Sequence, residues 1–275
     1  MASETSLLRK SWIVLSDAFG HFNADDGWAM ASHVALSSLM ALFPFLIFVA
    51  AFAGSLGEAR LAERVVEIVF TAWPEEVARP IAAEVRRVLV PVHGSLLTIS
   101  AVVALYLASN GVEAVRTALN RAYRVVDRRS IFFLRAQSLV FVLIGTVVFL
   151  MLAALGVLSA SLPILRPFER AFAGLGVVVT SILVVVVLVA AHLWLPAGRP
   201  HWRRLWPGIV TTLVLWLVSA WIFAFYLRSF ADYAATYAGL AGVVTAIFFL
   251  YVVAVLMIFG AEFNAALGRP RDQRI

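Results

Sequence analysis

The chain has no cysteine, and only 14% of its 275 residues are charged. Lys10 is its single lysine. Without cysteine there is no disulfide, thiolate metal site or cysteine nucleophile. A Gly-rich phosphate loop ending in lysine is also missing, which excludes a self-contained ATPase. No His, Asp or Glu cluster has metal-ligand spacing, so neither metal nor cofactor is expected. No extramembrane stretch is large enough to enclose an active site. Hydrolysis would need scattered carboxylates meeting at a membrane surface, and the sequence reads as that of a non-enzyme.

What is abundant is hydrocarbon. Hydrophobic residues make up 63% of the chain, and mean hydropathy is +0.94. Soluble domains average about 45–50% apolar and about 25% charged. This composition is that of an integral membrane protein with small extramembrane parts. The net charge of +6 is almost wholly arginine. In a soluble chain it would point to nucleic acid; here anionic phospholipid head groups at the cytoplasmic face are the expected partners, with no nucleic acid. Glu4, Asp17, Asp25 and Asp26 precede the first long apolar run, so the N-terminus does not read as a cleavable signal peptide.

A helix crossing the ~30 Å hydrocarbon core needs about 20 mostly apolar residues. Six segments qualify, near 29–53, 95–112, 136–160, 172–195, 208–228 and 240–264. Pro44 lies inside the first and should kink it, because proline removes one backbone donor. With the N-terminus inside, fourteen Lys/Arg fall on inner segments and eight on outer ones. Both termini are therefore expected in the cytoplasm. Trp28, Trp73, Trp194, Trp202 and Trp206 fall near span ends, as an aromatic belt requires. Residues 1–27 should form a cytoplasmic interfacial helix, because Leu8, Trp12, Leu15, Phe19 and Phe22 share one helical face. The six-span domain covers 28–268, with an outer amphipathic helical hairpin at 55–94 and a basic cytoplasmic tail at 269–275.

Ionisable groups at membrane depth are costly and mark candidate functional positions. Asn110, Glu113, Thr117 and Asn120 share a face at the end of the second span, with Arg116 near it. This stripe either is solvated at the helix exit or faces a cavity in the bundle. Ala108, Gly111, Ala114 and Ala118 give the same helix a small-residue face for close packing. Glu262 ends the sixth span and needs a cation, for which an arginine of 116–135 is the obvious source. It serves as a structural ion pair or as a ligand or gating group. Asn264 completes the expected polar node of Asn110, Glu113, Arg116, Asn120 and Glu262. Arg121, Arg124, Arg128, Arg129 and Arg135 are the expected head-group-binding surface. His33, beside Ser32, Ser37 and Ser38, reads as a histidine hydrogen-bonded between helices, with titration near neutral pH as the other option. His192 reads as interfacial. Arg228 and Asp232, with Tyr233 and Tyr237, suit a structural turn.

Four stretches, "ASHVALSSLMALFP", "SNGVEAVRTALNRAYRV" with "RRSIFFLRAQ", "LPAGRPHWRRLWPGIV" and "YAGLAGVVTAIFFLYVVAVLMIFGAEFNAAL", occur in this order. Together they resemble the YihY / virulence factor BrkB family over roughly 20–268. The resemblance implies an all-helical, six-span bacterial inner-membrane protein. Asn110, Glu113, Asn120, Arg129, Gly260, Glu262 and Asn264 match the family's polar and glycine positions, while His33 departs from its pattern; no catalytic role comes with them. The family has carried a ribonuclease label, yet no base, metal site or RNA platform is visible in these residues. The expected function is transport or lipid handling, in the form of translocating or binding anionic lipid or envelope precursors. The alternatives are a membrane scaffold or partner subunit, and an interfacial or intramembrane enzyme. The enzyme alternative requires convergence of groups such as His33 and Glu262.

Overall fold

The computed structural model describes residues 2–55, 67, 96–161, 169–198, 201–229 and 240–269. Within them are seven helices and no strand: α1 Ala2–Ala24, α2 Gly27–Ser55, α3 Leu96–Ala122, α4 Ile131–Ser161, α5 Glu169–Trp194, α6 Trp202–Ser229 and α7 Leu240–Gly268. The expected outer hairpin lies outside the described residues, apart from Glu67, as do the 230–239 turn with Asp232, Tyr233 and Tyr237 and most of the basic tail.

Four helices are long and apolar enough to cross a membrane, over Gly27–Leu46, Ile131–Ala154, Trp202–Leu227 and Val243–Gly268. Ser181–Trp194 of α5 is a shorter apolar stretch. The second expected span differs most from its sequence reading. The expected 95–112 segment does not stop there, and α3 runs on to Ala122 with Asn110, Glu113 and Arg116 in its middle turns. No proline or glycine pair interrupts it, so the helix carries its polar residues in unbroken phase. α2 runs as one helix through Pro44.

α7 lies at the centre, touching α1, α2, α3 and α6, while α2 packs most extensively on α3. In a bilayer there is little hydrophobic drive between helices, so close packing of small residues has to hold them together. The small face of α3 does this: Ala108, Gly111, Ala114 and Ala118 are all buried. A Cβ on Gly111 would stand 3.1 Å from that of Ala41 on α2. The α6–α7 seam is tighter still, for a Cβ on Gly208 would lie 2.1 Å from the Gly260 carbonyl oxygen. The Asn264 side chain closes this seam, accepting from the Gly208 N–H at 2.7 Å and donating to the Leu205 carbonyl at 2.9 Å. Gly208 follows Pro207, where the helix ladder already lacks a donor. The Trp216 indole donates to the Val253 carbonyl at 2.9 Å lower in the same seam.

Large apolar side chains cover the outside, with Leu217 and Trp221 each 73% exposed. The apolar stripe of α1 also faces out at Trp12, Leu15 and Phe19; Val14 and Ala18, with the carboxylate of Asp17, pack inward. Of Trp12, Leu15, Phe19 and Phe22, Phe22 alone is buried.

Candidate functional site

The end of α3 sets the site. Val125 N–H donates to the Asn120 carbonyl and Arg124 N–H to that of Arg121, both at 2.9 Å. These two bonds make a Schellman stop, whose pivot residue adopts the left-handed conformation and is usually glycine. Here it is Arg124, at φ 53°. A side chain in that conformation costs about 1 kcal/mol. The geometry aims the guanidinium at two carboxylates: Nη2 lies 2.5 Å from Asp25 Oδ2 and 3.1 Å from Glu262 Oε2.

From Glu262 the charges continue across the protein. Arg269 Nη2 stands 3.8 Å from Glu262, and its Nη1 donates to Asp17 Oδ2 at 2.7 Å. Arg269 also lies against the His21 ring, which pairs with Asp17 at 3.3 Å. Beside this chain Arg121 pairs with Asp26 at 2.5 Å. Asp26 is the elbow between α1 and α2 and is itself left-handed, at φ 53°. Alternating charges thus tie α1, the elbow, the end of α3 and the end of α7 together. Asp17 and Glu262 are 0% and 1% exposed. Carboxylates buried this deeply are tolerated only with a cation beside them.

The polar stripe of α3 belongs to a second cluster. Arg135 of α4 lies over it, and its Nη1 donates to Ser109 Oγ at 2.9 Å, Asn110 Oδ1 at 3.0 Å and Glu113 Oε2 at 2.8 Å. The same guanidinium sits 3.8 Å from the centre of the Tyr106 ring. Arg116 flanks Glu113 at 3.5 Å and donates to the Leu134 carbonyl at 3.1 Å.

A third cluster joins the α3–α4 loop to the end of α5. Asn120 donates to Asp127 Oδ2 at 3.0 Å and accepts from the Ala197 N–H at 2.8 Å. Arg129 grips Asp127 through two parallel bonds, of 2.7 and 2.6 Å, and donates to the Leu195 carbonyl at 2.8 Å. Gln137 donates to the Trp194 carbonyl. Arg129 and Gln137 therefore satisfy carbonyls at the end of α5 that have no helical donor. The hydrogen bonds from Arg129 hold the Asp127 carboxyl down at about 2, with lesser help from Asn120 and against some burial.

The residues expected to form one polar node thus fall into separate places. Asn110 and Glu113 meet Arg135, and Arg116 pairs with Glu113. Asn120 meets Asp127, Glu262 meets Arg124 and Arg269, and Asn264 sits in the α6–α7 seam. The expected meeting of the α3 stripe with Glu262 is not formed, because Arg135 occupies the stripe. The arginines expected as a head-group surface mostly have partners within the protein: Arg121, Arg124, Arg129 and Arg135 each pair with a carboxylate, although Arg121 and Arg124 stay exposed. Arg128 is exposed, with no ion pair among the described residues. His33 is exposed on α2, not held between helices, and makes no contact with buried Glu262. His192 is fully buried, not interfacial; its Nδ1 lies 2.8 Å from the Leu188 carbonyl and its ring stands edge-on to Tyr123.

Sequence reasoning missed Asp17, Asp25, Asp26, Asp127 and Arg269 as partners. One signal was available: Asp25 and Asp26 stand together just before the first long apolar run, where lone acids need cations. Among the described residues no group of three His, Asp or Glu could hold a metal ion. What the site shows chemically is arginine paired with carboxylates of the protein itself, some of them fully buried.

The sequence matches the family model described as virulence factor BrkB over residues 18–275. It is 26% identical to the ribonuclease-like protein YfkH of Bacillus subtilis, over 94% of this chain and 96% of that protein. A UPF0761 membrane protein of Alteromonas mediterranea is 25% identical, over 94% of this chain and 90% of its own. Another, from Rhodospirillum centenum, is 26% identical over 95% of this chain and 59% of its own. No solved structure matches the chain.

Proposed function

Because the chain belongs to the virulence factor BrkB family of membrane proteins, we propose that it is a six-span protein of the bacterial cytoplasmic membrane that handles anionic lipids or envelope precursors, with both termini inside. The reading is of a non-enzyme. The observation that carries it is the charge chain Asp25–Arg124–Glu262–Arg269–Asp17. A buried ion chain stabilises less than apolar packing of the same volume would. Its retention is explained if the contacts have to open. Arg124 is one-third exposed and shared by two carboxylates. An arriving phosphate competes with Asp25 for this guanidinium, since arginine binds phosphate oxygens bidentately. Loosening that contact removes one of the two ion pairs that tie the α1–α2 elbow to the end of α3.

Reconstitution in liposomes with labelled anionic phospholipid tests the reading. Wild type should move lipid faster than protein-free vesicles, and Glu262→Gln and Arg124→Lys should each slow it about tenfold. Equal rates in wild type and protein-free vesicles remove the reading. The topology is checked separately, and the absence of cysteine makes this direct: Ser3→Cys should be shielded in intact spheroplasts, while His93→Cys should be labelled.

A scaffold or partner-subunit reading has one observation in its favour, the outward apolar face of α1 at Trp12, Leu15 and Phe19. It expects Trp12→Ser/Phe19→Ser to release a bound partner while lipid movement stays at the protein-free level.

A further inference from the structure

Along the last turns of α5 lies an open groove of about 410 Å³ whose aliphatic lining comes from α5, with Trp206 contributed by α6. Val185, Val189 and Leu193 recur every fourth residue along α5, so they form one stripe down its length. Trp194 on α5 and Trp206 on α6 stand at the end of the groove where the two helices turn into each other. At 1.5 Å per residue the stripe is about 13 Å long, close to the depth of one leaflet of a ~30 Å hydrocarbon core.

Arg203 and Arg204 lie at that same end, in the first turn of α6 and within one turn of Trp206. Both are exposed, and Arg203 packs on the Trp202 ring at 5.3 Å. Neither has an ion pair among the described residues. No Asp or Glu occurs anywhere from 170 to 231. This sets them apart from Arg116, Arg121, Arg124, Arg129, Arg135 and Arg269, each of which has a carboxylate within 4 Å. Two cations without a counter-ion among the described residues, tryptophans at head-group level and a leaflet-deep aliphatic groove are complementary to one kind of molecule. Tryptophan favours that level because its ring is apolar while its N–H needs a partner.

We infer that this groove is a binding site for an anionic phospholipid. One acyl chain lies along Val185, Val189 and Leu193, and the phosphate rests on Arg203 and Arg204. The inference rests on the lipid-handling reading and names its ligand class, but binding is measured apart from translocation.

The test uses the full chain in detergent micelles, titrated with brominated phosphatidylglycerol or brominated phosphatidylcholine, which quench tryptophan on contact. The Trp194 and Trp206 signals are isolated by difference from Trp194→Phe/Trp206→Phe. Phosphatidylglycerol should quench saturably, with a preference of about tenfold over phosphatidylcholine, as two arginines near an anionic head group supply. Arg203→Gln/Arg204→Gln should abolish the preference and leave phosphatidylcholine quenching unchanged. Val189→Phe, which fills the groove, keeps both arginines and adds no tryptophan, should weaken both lipids. Inorganic phosphate at millimolar concentration should not compete. Equal quenching by the two lipids means annular contact only and overturns the inference. So does a preference that survives Arg203→Gln/Arg204→Gln, or competition by free phosphate. If the site binds as described while wild-type liposomes move no lipid, the translocation reading fails and the site stands. If lipid moves but the preference is absent, the site fails alone.

Discussion

Around the end of α3, Arg121, Arg124 and Arg129 are met by carboxylates, whereas at the turn from α5 into α6 Arg203 and Arg204 face outward beside tryptophan with none among the described residues. A count of positive charge treats the two regions alike, since it places both on the inner side. Their partners separate them. In the first region Arg124 reaches Asp25 and Glu262, so an outside anion reaches it only by displacing a carboxylate. In the second the charge stays available to whatever lies at the membrane surface. Arginine content therefore locates a membrane face, but only the acids within reach decide whether an arginine holds the protein together or binds something else.

The comparison breaks most sharply at Arg124. Arg124→Ala leaves Glu262 with only the more distant Arg269 among the described residues, and should destabilise the protein by about 3–5 kcal/mol. Arg124→Gly loses the same ion pairs but relieves the left-handed backbone, so it should be milder by about 1 kcal/mol. Thermal unfolding in detergent separates the two. Equal losses would mean that backbone strain at φ 53° contributes nothing.

Arg135→Ala is the intermediate case within the same region. Glu113 is 30% exposed and keeps Arg116 at 3.5 Å, so water and the second arginine compensate. A loss of about 1–2 kcal/mol is expected. A loss as large as that of Arg124→Ala would show that burial of the acid does not govern the cost.

A smaller effect should appear at the third cluster as a dependence on pH. Asp127 is held below its ordinary value, at about 2, chiefly by the hydrogen bonds from Arg129. The folded protein binds this proton less readily than the unfolded chain does. Its contribution is therefore complete above about pH 4 and is lost as pH falls toward 2. The midpoint difference between wild type and Asp127→Asn should shrink from pH 5 to pH 2.5, by about 1 kcal/mol. An unchanged difference would mean that the Arg129 grip is not formed in solution.

Much of the helical frame was legible because it depends on apolar runs: α2, α4, α6 and α7 follow from long stretches with few charges. The small-residue face of α3 was legible from its spacing, and Gly111 does meet α2. The source of the cation for Glu262 was legible too, since a buried carboxylate needs one and the 116–135 arginines are near in topology. What could not be read was which arginine answers which acid. Arg269 and Asp17 are 252 positions apart, and no local pattern encodes such a contact. The direction of the α1 stripe, outward at Trp12, Leu15 and Phe19, is the one an interfacial helix needs, though periodicity alone does not dictate it. Periodicity shows that Trp12, Leu15 and Phe19 share a face, but in a membrane protein an apolar face can meet lipid as readily as protein. His192 eluded the reading because its polar atom is satisfied by its own helix, at the Leu188 carbonyl.

The smallest expected effect is also the one that most sharpens the contrast. Arg203→Gln/Arg204→Gln removes two charges yet should shift stability in lipid-free detergent by no more than about 0.5 kcal/mol, because no internal group loses a partner. Adding phosphatidylglycerol should then raise the wild-type unfolding midpoint more than that of the variant, since a ligand stabilises only the state that binds it. Arg124→Lys should behave in the opposite way, losing stability without lipid and keeping the lipid-dependent rise. If Arg203→Gln/Arg204→Gln alone costs more than about 1 kcal/mol in lipid-free detergent, these arginines have structural partners after all. The two regions would then differ only in degree.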